Sequence, residues 1–94
     1  MSCRICLIED DEIIGEALLE RFEVEDMACD WYRDGASAMR ALGTRTYCVV
    51  ISDINLPDIS GEELFSRLRS KDNVPPFLFI TGYGSIDQAV RLLK

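Results

Sequence analysis

The chain has 94 residues, 48% apolar and 29% charged, with a formal net charge of −7 and no histidine. That length allows one small domain with a modest core. The acidic balance argues against a nucleic-acid surface, which would be basic, and suits a cationic ligand such as a metal ion or an arginine-bearing partner. No apolar run approaches the roughly 18 residues of a membrane span. The opening "MSCRICLIEDD" lacks the apolar centre of a signal peptide, so the expected compartment is the cytoplasm.

The first element is the apolar run "CRICLI" (3–8), which ends on Glu9, Asp10 and Asp11. It contains Cys3 and Cys6, a C-x-x-C spacing. In a strand, however, residues three apart point to opposite faces, and there is no second cysteine pair, so a shared metal or redox role is not expected. Cys29 and Cys48 read as small buried apolar residues. Residues 12–24 place Ile14, Ala17, Leu18 and Phe22 at helical spacing. "ACDWY" (28–32) is rich in strand formers, and Asp34-Gly35 signals a turn. "ASAMRAL" (36–42) reads as a short helix stopped by Gly43.

"YCVVIS" (47–52) is a bounded β-branched run, the pattern of a strand buried on both faces. It runs into Asp53 and then into Asn55, Pro57 and Gly61, a loop signature, with Asp58 and Ser60 as candidate caps for the next helix. That helix carries Leu64, Phe65 and Leu68. After Pro75-Pro76 comes "FLFI" (77–80), another buried strand, then the loop "TGYG" and a last helical face of Ile86, Ala89, Val90 and Leu93. Strand and helix alternate four times, which predicts a doubly wound parallel α/β sheet with helices on both faces. Ligands of such sheets bind outside the carboxyl ends of the strands.

Glu9 and Asp10, Asp53, and Thr81 with Gly82 all fall at strand carboxyl ends. If those strands are neighbours, three carboxylates converge. Two charges about 4 Å apart repel by roughly 4 kcal/mol at an effective dielectric of 20. One acid must then keep its proton, or a cation must sit among them. A hard divalent ion such as Mg²⁺, with a loop carbonyl beyond Asp53 as a further ligand, suits an all-oxygen set. Acids in a helix's first turn also favour its dipole, which would explain Glu9, Asp10 and Asp11 but not Asp53.

"LIEDDE", "SDINLPDISG" and "FITGYGS", in that order along the whole chain, resemble the receiver domain of two-component response regulators. The resemblance implies a flavodoxin-like receiver fold with strand order 2-1-3-4. It makes Asp53 the phosphoacceptor, Asp10 a direct Mg²⁺ ligand, Glu9 a ligand through water, and the Asn55 main-chain carbonyl the third protein ligand. It assigns the Thr81 hydroxyl and Gly82 N–H to the phosphoryl oxygens. The acidic pair can be read one place later, as Asp10 and Asp11; the earlier reading is preferred because it lets Ile14 face inward.

The resemblance further implies a histidine kinase or phosphotransfer protein as donor and an output domain that the receiver switches. The output would act in transcription, through an ATPase domain working with the alternative sigma factor or through a DNA-binding winged helix. No direct nucleic-acid or membrane contact is implied for residues 1–94. A receiver also has a fifth strand ending in lysine and a fifth helix, and these 94 residues are expected to be C-terminally incomplete. With strand 77–80 then at an edge, the chain is expected to self-associate through that strand or through the face the fifth helix would have covered.

Three other readings fare worse. A haloacid-dehalogenase-type phosphatase needs a second aspartate where Asn55 stands. A calcium loop starting at Asp53 would put Pro57 at a ligand position and Asp58 where glycine is required. A pseudo-receiver serving only as an interaction module would have no use for Asp10, Asp53 and Thr81 together.

Overall fold

The computed structural model describes residues 3–69, 71, 74–80 and 86–93. Four strands and four helices alternate: β1 (Arg4–Ile8), α1 (Glu12–Val24), β2 (Ala28–Tyr32), α2 (Gly35–Thr44), β3 (Val49–Asp53), α3 (Gly61–Leu68), β4 (Phe77–Ile80) and α4 (Ile86–Leu93). All strand pairs are parallel, in the order β2-β1-β3-β4. The register sets Ile8 beside Ser52 and Asp53 beside Ile80, so the carboxyl ends of β1, β3 and β4 lie together.

Alternation along the strands splits the core in two. Ile5, Leu7, Val49, Ile51 and Ile80 face Leu18 and Phe22 of α1 and Val90 of α4. Cys6, Ile8 and Val50 face Ala38 and Ala41 of α2 and Leu64 and Leu68 of α3. The two central strands are buried on both sides, which is why they read as continuous apolar runs. The edges differ: every residue of β2 is half-buried, and so are Phe77, Leu78 and Phe79, leaving Ile80 as the buried residue of β4. The expectation of a fully buried strand at 77–80 is therefore corrected, because among the described residues β4 pairs only with β3. Phe77 packs edge-on against Phe65 of α3, with centroids 5.1 Å apart.

α1 begins at Asp11, whose carboxylate accepts from the N–H groups of Ile13 and Ile14. It ends with Asp26 at φ 60°, while the Met27 and Asp26 N–H groups donate back to Phe22 and Glu23, the Schellman arrangement. Ile14 turns toward the core and Ile13 stays 67% exposed, as the sequence pattern requires.

Three local expectations change. Gly43 lies inside α2 rather than stopping it; its site is open, and the Arg45 N–H closes the helix on Ala41. Glycine costs a helix about 1 kcal/mol and does not forbid it. Tyr47 and Cys48 precede β3 instead of opening it. Cys48 is exposed, not a buried apolar residue, and is disulfide-bonded to Cys3, with Cα atoms 5.4 Å apart. The Cys48 N–H donates to the Arg4 carbonyl, which brings the starts of β1 and β3 side by side. Cys6 and Cys29 are free, and burial pushes both thiols up to about 12. No helix among the described residues is long and apolar enough to cross a membrane.

Candidate functional site

Glu9 and Asp10 follow β1 directly, and Asp53 ends β3 next to it. One carboxylate oxygen from each of the three lies within 4.8 Å of the others. Their exposures are graded: Glu9 is 1% exposed, Asp53 is half-buried and Asp10 faces solvent. Glu9 Oε2 accepts from the Asp11 N–H at 3.1 Å. Glu9 Oε1 is buried with no donor on it among the described residues; a proton held between Glu9 and Asp53 is its alternative to a cation. Burial first, then the neighbouring Asp53 and Asp10 carboxylates, push the Glu9 carboxyl up to about 8, against the pull of the Asp11 N–H.

Among the described residues no ion pair reaches these three acids. At 4.8 Å two carboxylates repel by about 3.5 kcal/mol at an effective dielectric of 20. A buried polar atom without a partner adds a cost of its own. Both costs disappear if a cation sits among the acids, and the all-oxygen donor set fits Mg²⁺.

The backbone holds this end of the molecule tightly. Asp53 Oδ1 accepts from the Asn55 N–H at 3.2 Å, the Gly61 N–H donates to the Ile54 carbonyl at 2.7 Å, and Asn55 and Ser60 form an antiparallel bridge. A Cβ on Gly61 would sit 2.6 Å from the Asp53 carbonyl oxygen, so only glycine lets α3 start this close to the end of β3. The Trp31 indole N–H donates to the Glu9 carbonyl at 2.8 Å, fixing the acidic turn from the β2 side. Gly15 makes room for that indole, since any Cβ there would overlap it. Arg33 stacks over the Trp31 ring at 4.4 Å and pairs with Glu12.

The structure thus brings Glu9, Asp10, Asp53 and the Asn55 backbone to one place. Asp11 is drawn off to cap α1. Thr81 and Gly82 lie outside the described residues. Sequence reasoning assigned no role to Trp31 at this site, and it placed Asp58 wrongly. Ser60 caps α3 through the Glu63 N–H, whereas Asp58 reaches α2, accepting from Gly35 and Ala36 N–H at 2.9 and 3.0 Å. Those bonds, the Gly35 one foremost, hold the Asp58 carboxyl below its ordinary range.

A doubly wound parallel sheet with converging acids at the carboxyl ends of β1 and β3 defines a receiver-like α/β domain. The family model described as "Response regulator receiver domain" matches residues 5–94, and the chain belongs to that family. It is 36% identical over 91 residues to the transcriptional regulatory protein QseB of Haemophilus influenzae, covering 97% of this chain and 41% of that protein. It is 31% identical to the response regulator protein FleR of Pseudomonas aeruginosa, covering 100% of this chain and 20% of that one. The chain therefore spans less than half the length of these relatives. Among solved structures, the non-phosphorylated HemR receiver domain of Leptospira biflexa superposes with a TM-score of 0.78 at 32% identity, covering 98% of this chain and 74% of that one. TrrA of Thermotoga maritima, solved in complex with Mg²⁺ and BeF, gives a TM-score of 0.85 over 97% of this chain and 96% of that one; at 22% identity it speaks for the fold. The domain is a regulatory module rather than an enzyme in its own right.

Proposed function

We propose that this receiver domain accepts a phosphoryl group on Asp53 and thereby switches a transcriptional output. The observation that carries the reading is the convergence of Glu9, Asp10 and Asp53 within 4.8 Å, with no donor on Glu9 Oε1 among the described residues. Asp10 and Asp53 would hold Mg²⁺ directly, Glu9 through water, and the Asn55 carbonyl would complete the protein's share. The ion supplies charge neutralisation for an incoming phosphoryl group and for the acids themselves.

The chain's own residues do the rest. An Asp53 carboxylate oxygen attacks phosphorus; the P–N bond of a phosphohistidine donor breaks, and its imidazole leaves with the bonding pair. Phosphoryl transfer has a loose transition state, so positioning matters more than covalent activation. Here positioning comes from the Asn55 N–H on Asp53, the Gly61–Ile54 bond below it and the Trp31 indole behind Glu9. Thr81 and Gly82 are assigned to the phosphoryl oxygens. The new charge and the bonds it attracts would then reset the surface that an output domain reads.

The donor is a histidine kinase or phosphotransfer protein, the partner that a two-component receiver implies; these 94 residues hold no histidine with which to supply the phosphoryl group themselves. The reading places the domain in the cytoplasm, where the Cys3–Cys48 pair would be held mostly reduced. We also propose that these 94 residues self-associate, through strand 77–80, where Phe77 and Phe79 are half-buried, or through the face that a fifth helix would cover; sedimentation across a concentration series tests it, and a monomer throughout would overturn it.

The test of the main reading is acetyl phosphate labelling followed by intact mass spectrometry. One phosphoryl group is expected on the wild type in Mg²⁺, and none in EDTA or on Asp53→Asn. Mg²⁺-dependent labelling that persists in Asp53→Asn, at Asp10 or Asp11, would overturn the assignment.

A further inference from the structure

We propose that Asp58 is a positioning residue for the acidic site: by clamping the 54–60 loop onto the N-terminus of α2, it fixes the Asn55 main chain, whose N–H donates to Asp53 Oδ1, and with it the carbonyl that the metal reading assigns as a ligand. The inference rests on the metal reading of the site and adds a residue to it.

The clamp is defined by four observations. Asp58 uses both carboxylate oxygens, Oδ1 on the Gly35 N–H at 2.9 Å and Oδ2 on the Ala36 N–H at 3.0 Å. Asp34 takes the next N–H, that of Ser37, at 2.7 Å. Two acids 24 positions apart in sequence thus satisfy the first three free N–H groups of one helix, and only Asp34 is local to it. Next, a Cβ on Gly35 would collide with Ile59 and stand 3.3 Å from Asp58 Oδ1. Glycine at 35 is what permits the loop to lie against the helix. Finally, Leu56 and Ile59 pack on the same core cluster as Ala38 and Ala41 of α2.

These contacts decide what the loop can do. Its two ends are anchored by the Asn55–Ser60 bridge and the Gly61–Ile54 bond. Between them Asp58 is exposed and has no packing reason to be an acid. Charge-assisted bonds to two successive N–H groups are the strong kind, and α2 is itself fixed by the core. The loop is therefore referenced to a rigid helix rather than to solvent. A carbonyl that must sit at a ligand distance gains from such support, because outer contacts that orient ligands commonly change metal affinity by about tenfold or more.

The test compares Asp58→Asn, Asp34→Ala and Asp53→Asn with wild type, each titrated with Mg²⁺ alone and followed by backbone amide shifts. Urea unfolding and amide hydrogen exchange are read on the same samples. Asp58→Asn is expected to weaken Mg²⁺ binding about tenfold, with faster exchange at Gly35, Ala36 and Asn55. Asp34→Ala removes the local cap of the same helix and is expected to lower stability without changing Mg²⁺ affinity. If Asp58→Asn folds and binds Mg²⁺ as wild type does while Asp53→Asn does not, the clamp is overturned and the site stands. If Asp53→Asn binds Mg²⁺ unchanged, the site itself falls. If Asp34→Ala loses as much affinity as Asp58→Asn, α2 stability and not the loop clamp is responsible, which also overturns the inference. Gly35→Ala, which displaces Ile59 while keeping Asp58, supplies a second variant and is expected to reproduce the tenfold loss.

Discussion

Two groups of acids in this small domain are treated in opposite ways. Asp30, in the middle of β2, is surrounded by donors: Arg4 Nη1 at 2.7 Å, Arg45 Nη1 at 3.0 Å and the Tyr47 hydroxyl at 2.7 Å, with Tyr32 hydrogen-bonded to Tyr47 at 2.8 Å. Burial, then Tyr32 and Asp30, drive the Tyr47 phenol well above its ordinary range, so it stays a donor. Among the described residues, Glu9, Asp10 and Asp53 have each other and a few backbone N–H groups. One cluster spends its charge on holding two strands and the approach to β3 together. The other crowds acids with no cation among the described residues to pair them, so that Glu9 holds its proton to about pH 8, and leaves an acceptor for something that arrives later.

The sharpest way to break this contrast is to remove one acid from each cluster. Asp30→Ala leaves two guanidinium groups and a phenol without their acceptor. It is expected to lose about 2 kcal/mol, the cost of leaving the Tyr47 hydroxyl and both guanidinium groups without their acceptor, since both arginines reach solvent. Urea denaturation reads this directly, and wild-type stability would mean that the Asp30 network carries no weight.

Asp53→Asn is expected to move the other way. It removes like-charge repulsion and should gain about 1–2 kcal/mol in EDTA. Saturating Mg²⁺ should then stabilise the wild type but not the variant, because a ligand stabilises only the state that binds it. A loss of stability in EDTA would show that Asp53 is already satisfied.

Acidity sharpens the comparison further. The Glu9 carboxyl is raised in the folded chain from 4.5 to about 8, so the folded state holds that proton more tightly than the unfolded one. Its contribution to stability is full below about pH 4.5 and fades as pH climbs through about 8. Without metal, unfolding free energy should therefore decline across that window, and Glu9→Gln should flatten the decline. The smallest effect expected is at the rim of the satisfied cluster. Tyr32→Phe deletes the outer hydroxyl only and should cost about 0.5–1 kcal/mol.

The parts legible in the sequence were those governed by local pattern. Residues 28–32 and 77–80 form strands at the predicted bounds, and α1 spans residues 12–24 as its apolar spacing requires. The converging acids could be anticipated because strand ends in a parallel sheet share one edge. What stayed hidden depends on partners far apart in the chain. Asp30 reads as an ordinary acid in an edge strand until Arg4, Arg45 and Tyr47 are brought to it. Cys48 reads as one more apolar residue until the start of β1 is laid alongside. Asp58 stands two residues before Ser60 and so reads as a cap for the nearer helix; Gly35, where any side chain would strike Ile59, was the available hint that the loop crosses to α2. Trp31 reads only as one strand former among others in 28–32, yet its indole touches the Glu9 backbone, so its fluorescence is well placed to report on the acidic turn.

The Cys3–Cys48 bond has a mechanical consequence. It closes a loop of 45 positions that contains β1, α1, β2 and α2, and leaves the chain from β3 onward untied. Pulled from its two ends, the oxidised molecule would pay out the β3–α4 half and then stop, with the tied half hidden from the force. At roughly 3.5 Å of contour per residue, reduction would release about 160 Å of further extension. Seen this way the domain is a lasso, in which Glu9 and Asp10 ride inside the noose and Asp53 on the rope.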